Sequence, residues 1–113
     1  MNRRDDKVYL QHVLDAILAI ERFTGGVTYE QFVRNEMMQQ AVVRELEIVG
    51  EAGRNLSEEF RTQHPEIPWR EIIGMRNRII HAYFDLDLGA VWDAVQLDVP
   101  TLKLQIETIL RHM

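Results

Sequence analysis

Apolar residues recur every three or four positions through most of the chain, which is the spacing of helix faces rather than of strands. In the first segment this stripe ends shortly before Gly25 and Gly26, and glycine is common where a helix ends. The stripe is formed by five residues: Leu10, Val13, Leu14, Ile17 and Leu18. The spacing therefore predicts an amphipathic helix that ends near Phe23.

A short helix and a long helix are predicted next. Thr28 followed by Gln31 fits a capping box, in which each side chain accepts a hydrogen bond from a backbone N–H at the helix start. Phe32 is expected to anchor this short helix in the core. From about Asn35 one apolar stripe continues without interruption to Leu56, which predicts the longest helix before the proline-containing segment.

Two prolines, Pro65 and Pro68, then interrupt the helical pattern, because each disfavours helix at the preceding residue. Pro68 is suited to open the next helix, since the first helical position needs no N–H donor. The apolar residues after it are expected to continue that helix to Phe84. The last apolar stripe stays in phase through Pro100, so we expect one long helix that is kinked there.

Together these segments predict an all-α fold, an up-and-down bundle of four to five helices. No segment shows the strict alternation of a half-buried strand. With 113 residues, 46% of them hydrophobic, the chain is long enough for one core. We therefore expect a single domain over residues 1–113.

Charge and cysteine content narrow the function. Lys and Arg number 13 and Asp and Glu 18, a net charge of −5 that argues against extensive nonspecific DNA binding. The chain has no cysteine, which excludes disulfides and thiol catalysis, and no apolar run of membrane-spanning length. We expect a cytoplasmic protein without membrane contact. His12, His64 and His112 lack metal-ligand spacing, so neither a metal site nor a cofactor is predicted.

Arg76 interrupts the apolar pattern. On a helical wheel it lies near the centre of an apolar arc, which is formed by Ile72, Ile73, Ile79 and Ile80. Because arginine keeps its charge in proteins, it must pair with a carboxylate, bind an anion or lie at an interface. An ordinary ion pair would use an acidic residue of the preceding long helix: Glu45, Glu47 or Glu51.

Asn77 and His81 are four positions apart, which places them on one flank of the expected helix, about 100° to 140° from Arg76. A joint site therefore needs the long reach of arginine, a distorted helix end or a second copy of the helix. Histidine exchanges a proton near neutral pH and arginine stabilises charge at phosphorus, which suits phosphodiester cleavage without a metal. The ordinary alternative is that His81 caps a helix end and Asn77 is solvated.

The segment Arg76-Asn77-Arg78-Ile79-Ile80-His81-Ala82-Tyr83 resembles the signature of HepT-like toxins in the HEPN superfamily. That signature has an arginine, a polar residue, three more residues, a histidine, one residue and a tyrosine. The resemblance extends through residues 44–52, 64–75 and 91–92, and thus covers nearly the whole chain.

The resemblance implies an HEPN-like helical bundle that is the toxin of a type VII-like toxin–antitoxin pair. Such a protein dimerises through its motif helix and cleaves RNA without a metal, by attack of the RNA 2′-hydroxyl. Arg76 and His81 would then be catalytic, with Asn77 supporting them. Tyr83 would be the tyrosine to which a minimal nucleotidyltransferase antitoxin attaches AMP, which inhibits the toxin.

Two other interpretations remain open from the sequence. One is a non-catalytic, dimeric helical module that binds a nucleotide or a partner protein; it predicts that His81→Ala changes no RNA-cleaving activity. The other is a purely structural helical protein with Arg76 in an internal salt bridge. In that case Arg76→Ala would lower stability by about 3 kcal/mol or more.

Overall fold

Three long helical segments form the body of the described fold. The structure, a computed structural model, describes residues 3–81 and 85–113, with Arg3, Arg4 and His81 described by their backbone alone. These helical segments are α1 (Arg3–Thr24), α3 (Glu36–Asn55) and a composite C-terminal helix over residues 88–111. α1 packs along α3 and against the end of the C-terminal helix. The predicted all-α bundle is confirmed.

Shorter elements connect these helices: α2 (Tyr29–Val33), α4 (Glu58–Gln63), α5 (Trp69–Ile73) and α6 (Met75–Ile79). After α6 the backbone is extended, and two short strands pair antiparallel: β1 (Ile80–His81) and β2 (Asp85–Leu86). In this pair Ile80 lies opposite Leu86 and His81 opposite Asp85. Both α5 and α6 pack on α3, so α3 is the helix that positions the motif segment.

The C-terminal helix is continuous through Pro100, and its distortion lies in the turn before the proline. It consists of α7 (Leu88–Asp93), a π-helical turn (Ala94–Asp98) and α8 (Val99–Arg111). The Val99 N–H donates to the Ala94 carbonyl, five residues back rather than four. Because Pro100 has no N–H and crowds the preceding turn, a widened turn is the expected response of the backbone.

The predicted capping box at the start of α2 is confirmed. The Thr28 hydroxyl accepts a hydrogen bond from the Gln31 N–H (3.2 Å), and the Gln31 side chain accepts one from the Thr28 N–H (2.9 Å). Asn35 caps α3 by accepting from the Met38 N–H (2.9 Å). Phe32 is fully buried, as expected of the anchor of α2.

The core lies between α1, α3 and the C-terminal helix, and the predicted apolar stripes supply it. Its largest fully buried side chains include Leu10, Ile17, Ile20, Phe32, Leu46, Ile67, Ile79 and Ile106. Within the described residues no helix combines the length and the apolar character needed to cross a membrane.

The prediction of a helix that runs to Phe84 is wrong. Gly74 separates α5 from α6, and α6 ends at Ile79, since Ile80 has extended backbone angles (φ −115°, ψ 117°). β-Branched isoleucines favour extended backbone, so an apolar pair here suits a strand as well as a helix. Residues 82–84 lie outside the described residues.

Gly50 allows the backbones of α3 and α5 to approach closely. A Cβ atom at position 50 would lie 3.1 Å from the carbonyl oxygen of Ile72, closer than side chains normally come to a backbone. A Cβ at Gly53, one turn later, would meet only the Ile72 and Ile73 side chains, at 3.5 and 3.7 Å. A side chain at position 50 would therefore displace α5, whereas one at position 53 would fit.

These two glycines predict opposite effects of the same substitution. Alanine in a helix interior is favoured over glycine by about 0.8–1.0 kcal/mol, so Gly53→Ala is expected to stabilise the protein by up to that amount. For Gly50→Ala the clash with a carbonyl costs about 1–3 kcal/mol and outweighs the gain. Urea unfolding of both variants measures the difference. Equal stability of the two would contradict the close approach.

Candidate functional site

Arg76 lies on α6 and pairs with α3. Its Nε donates to the Glu47 Oε2 at 3.2 Å, which confirms a facing-helix carboxylate as its partner and selects Glu47 among the three acidic candidates. The Arg76 side chain is 55% exposed and that of Glu47 32%. Arg76 is therefore a surface arginine held by a partly exposed ion pair, not a charge within the core.

The ion pair uses one edge of the Arg76 guanidinium. Within the described part of the chain, its two terminal nitrogens make no hydrogen bond. A guanidinium carries five N–H donors, so most of them remain available to an anion. Phosphate oxygens match this planar set of donors particularly well.

Arg76 lines a surface groove of about 430 Å³ between α1, α3 and the α5–α6 segment, here called the motif groove. Its lining combines both signs of charge with one histidine. The polar lining residues are Tyr9, His12, Arg44, Glu47, Glu51, Arg54, Asn55 and Arg76. Three arginines against two glutamates leave the motif groove weakly positive, although the chain as a whole is negative.

The α3 side of the motif groove could have been found from the sequence. Four charged residues of α3 are spaced three or four positions apart and therefore share one helix face: Arg44, Glu47, Glu51 and Arg54. This face carries both positive and negative charges and lies beside the apolar stripe. The contribution of α1 was missed, because His12 joins the groove only through the packing of α1 on α3.

Asn77 lies beside a second groove. It is exposed on α6, its N–H donates to the Gly74 carbonyl (3.1 Å), and it lines an open groove of about 720 Å³. The residues around this second groove, here called the basic groove, are Arg54, Glu58, Arg61, Thr62, Trp69, Arg70, Ile73, Gly74 and Asn77. Arg76 and Asn77 are thus consecutive in sequence yet border different grooves, which share Arg54 and Ile73 as walls.

The expected stacking of Asn77 and His81 on one helix flank is wrong. Asn77 is in α6, whereas the backbone at His81 is extended in β1, so the two do not occupy successive helical turns. The side chain of His81 and all of Tyr83 lie outside the described residues. A joint site of Arg76, Asn77 and His81, and the role of Tyr83, therefore stay predictions.

The His64–Glu66 and Lys103–Glu21 pairs lie outside both grooves. Within the described residues no group of three or more His, Asp or Glu side chains is arranged to hold a metal ion. The His64 ring pairs with Glu66 (3.2 Å). The hydrogen bond from the Lys103 ammonium to the Glu21 carboxylate (3.0 Å) raises the pKa of Lys103, outside both grooves.

The chain matches the family model described as "Ribonuclease HepT-like" over residues 13–109. A protein of Thermococcus cleftensis named as a probable ribonuclease HepT is 44% identical over 107 residues, 95% of this chain and 97% of the relative. A protein of Methanocaldococcus jannaschii named as a putative RNase is 39% identical over 109 residues, 96% of this chain and 100% of the relative. No solved structure matches.

The exposure of the Arg76–Glu47 pair predicts a small role in stability. Partly exposed ion pairs contribute about 0–1 kcal/mol, so Arg76→Ala and Glu47→Ala should each change the free energy of unfolding by no more than about 1 kcal/mol. Ile79→Ala, on the same helix but fully buried, should cost about 2–5 kcal/mol. Urea denaturation compares the three. A loss of about 3 kcal/mol in Arg76→Ala would instead support the internal salt bridge of a purely structural protein.

Proposed function

We propose that this chain, which belongs to the HepT-like ribonuclease family, is the toxin of a type VII-like toxin–antitoxin pair that cleaves cytoplasmic RNA without a metal ion. The observation that carries the proposal is the placement of Arg76. It is exposed on a groove, oriented at Nε by Glu47, and has its terminal nitrogens available to a phosphate. The names of the relatives as ribonucleases support the same reaction class.

In the proposed reaction the 2′-hydroxyl of RNA attacks the adjacent phosphorus. A 2′-oxygen–phosphorus bond forms and the bond to the 5′-oxygen of the next nucleotide breaks, which leaves a 2′,3′-cyclic phosphate and a 5′-hydroxyl. His81 removes the proton from the 2′-hydroxyl or supplies one to the leaving oxygen. Arg76 stabilises the charge that develops on the phosphoryl oxygens. Because DNA lacks the nucleophile, only RNA is a substrate.

Glu47 has a positioning role in this proposal. Its carboxylate fixes the guanidinium at Nε and so limits the orientations in which the terminal nitrogens meet the phosphate. Asn77 would support the reaction from the adjacent basic groove, with a neutral amide donor. Dimerisation through the motif segment follows from the family resemblance, and three consecutive exposed residues of α6, 76–78, are compatible with it.

The proposed regulation acts on the same surface. A minimal nucleotidyltransferase partner would attach AMP to Tyr83, two residues after His81. The modification adds a bulky anion, which would pair with arginines of the motif groove and compete with the substrate phosphate. This predicts inhibition without unfolding.

A second candidate function is favoured by the carboxylates in the motif groove. Glu47 and Glu51 lie among its arginines, and carboxylates repel a chain of phosphates more than they repel a single small ligand. The alternative is a non-catalytic dimeric module that binds a nucleotide or a partner protein in this groove.

Cleavage of a mixed tRNA and mRNA pool in EDTA separates the two functions. The wild-type protein, with Tyr83 shown by mass to carry no AMP, should generate cyclic-phosphate ends. His81→Ala and Arg76→Ala should each lower the rate by about 100-fold or more, since each removes a group that acts in the transition state. Arg34→Ala, which removes an exposed arginine outside both grooves, serves as the matched control and should cleave like the wild type.

Folding and dimerisation of each variant are checked by circular dichroism and by size-exclusion chromatography. An unmodified, folded wild-type dimer that cleaves no RNA would contradict the ribonuclease proposal. Retained binding of AMP or ATP by that inactive dimer would support the binding module instead.

A further inference from the structure

We propose that the basic groove binds phosphates of single-stranded RNA on one side of the cleavage point, an inference that rests on the proposed ribonuclease function. Three arginines line it, Arg54, Arg61 and Arg70, against a single glutamate, Glu58. In a chain of net charge −5, such a local excess of positive charge is where an anionic polymer would bind.

Among the described residues, none of the three arginines forms an ion pair. Within the described residues, no Asp or Glu oxygen lies within 4.0 Å of their guanidinium nitrogens, in contrast to Arg76 and Arg78, which are paired. The Nε of Arg61 is buried and has no acceptor in the described chain. An arginine without an ion pair binds a phosphate without first losing a protein partner, so this cluster is well suited to an external anion.

Rigid elements carry these side chains. Arg54 is on α3, Arg61 on α4 and Arg70 on α5. Phe60 and Trp69, the residues directly before Arg61 and Arg70, are buried, and their ring centroids are 6.1 Å apart in an edge-to-face arrangement. The backbone at the arginines is therefore fixed by the core, and binding a phosphate costs the ordering of side chains only.

The two grooves are adjacent. Arg54 and Ile73 line both of them, so a strand whose scissile phosphate lies at Arg76 can continue past Arg54 into the basic groove. Trp69, the aromatic residue of the basic groove, is only 9% exposed and its Nε1 is bound to the His64 carbonyl (3.0 Å). Base stacking is thus not available there, and the groove should contact the phosphate backbone with little sequence preference.

The test measures binding without cleavage. A fluorescent oligonucleotide with 2′-O-methyl groups keeps the phosphates but lacks the attacking hydroxyl, so binding is followed by fluorescence anisotropy at several salt concentrations. Arg70→Ala and the double variant Arg61→Ala/Arg70→Ala are compared with Arg34→Ala, which removes the same charge elsewhere on the surface. Circular dichroism shows whether each variant is folded. If the double variant does not fold because the half-buried Arg61 is needed for stability, the single variant at the exposed Arg70 still tests the proposal.

We expect the double variant to bind the probe about tenfold more weakly. The slope of log affinity against log salt concentration should become less steep by about 0.7 for each arginine removed. Cleavage of natural RNA should show a raised KM with kcat little changed, because these contacts act equally before and in the transition state. Arg34→Ala should match the wild type.

The failures of the two proposals differ. If Arg70→Ala and the double variant bind the probe as Arg34→Ala does, the basic groove proposal is overturned. RNA cleavage that depends on His81 would still support the ribonuclease proposal in that case. If the arginine variants bind the probe more weakly but neither the wild type nor His81→Ala cleaves RNA, the basic groove proposal is supported and the ribonuclease proposal is overturned. A wild-type protein that binds no probe overturns the groove proposal.

Discussion

The close approach of α3 to the backbone of α5, permitted by glycine at position 50, is the constraint on which the candidate site depends. The Ile72 carbonyl lies where a Cβ of residue 50 would crowd it. Glu47 is one turn before Gly50 on the same face of α3, and Arg76 follows Ile72 by four residues. The close packing at Gly50 and the Arg76–Glu47 ion pair are therefore neighbours along α3, and a wider separation of α3 from the α5–α6 segment is expected to lengthen the 3.2 Å distance between the Arg76 Nε and the Glu47 Oε2.

What the sequence predicted well is local in origin. The capping box at Thr28 and the anchor Phe32 each depend on residues within a few positions, and both are present in the structure. The proline effect at Pro100 is also local, and it appears as a π-helical turn just before that residue. Local chemistry thus sufficed for the end of α1 and the start of α2.

The motif segment was harder because the same apolar spacing fits two backbones. Ile79 and Ile80 suit a helix that continues or a strand that begins, and in the structure Ile80 pairs with Leu86 of β2 as a strand. The partner of Arg76 was narrowed to three glutamates, but the selection of Glu47 depends on how α6 lies across α3. The motif groove depends on the same tertiary packing, so the residues that α1 adds to it, Tyr9 and His12, could not be predicted.

The charge distribution is compatible with the RNA substrate that we propose for this acidic chain. The net charge of −5 disfavours idle binding to nucleic acid over the whole surface, whereas both grooves carry more arginines than glutamates. In the motif groove one glutamate orients an arginine, and in the basic groove the arginines have no carboxylate partner among the described residues. In the proposed mechanism, the orientation of the catalytic guanidinium and the binding of further phosphates are divided between these two neighbouring grooves.

The most direct test of Arg76 as the phosphate-binding group is a titration of 15N-labelled protein with the 2′-O-methyl oligonucleotide, followed through the arginine Nε–Hε signals in NMR spectra. Assignment uses the Arg76→Lys and Arg34→Lys variants. We predict that the Arg76 signal shifts in a saturable way while the Arg34 signal does not. A saturable shift of other arginine signals with Arg76 unchanged would show that RNA binds elsewhere and would contradict the proposed site.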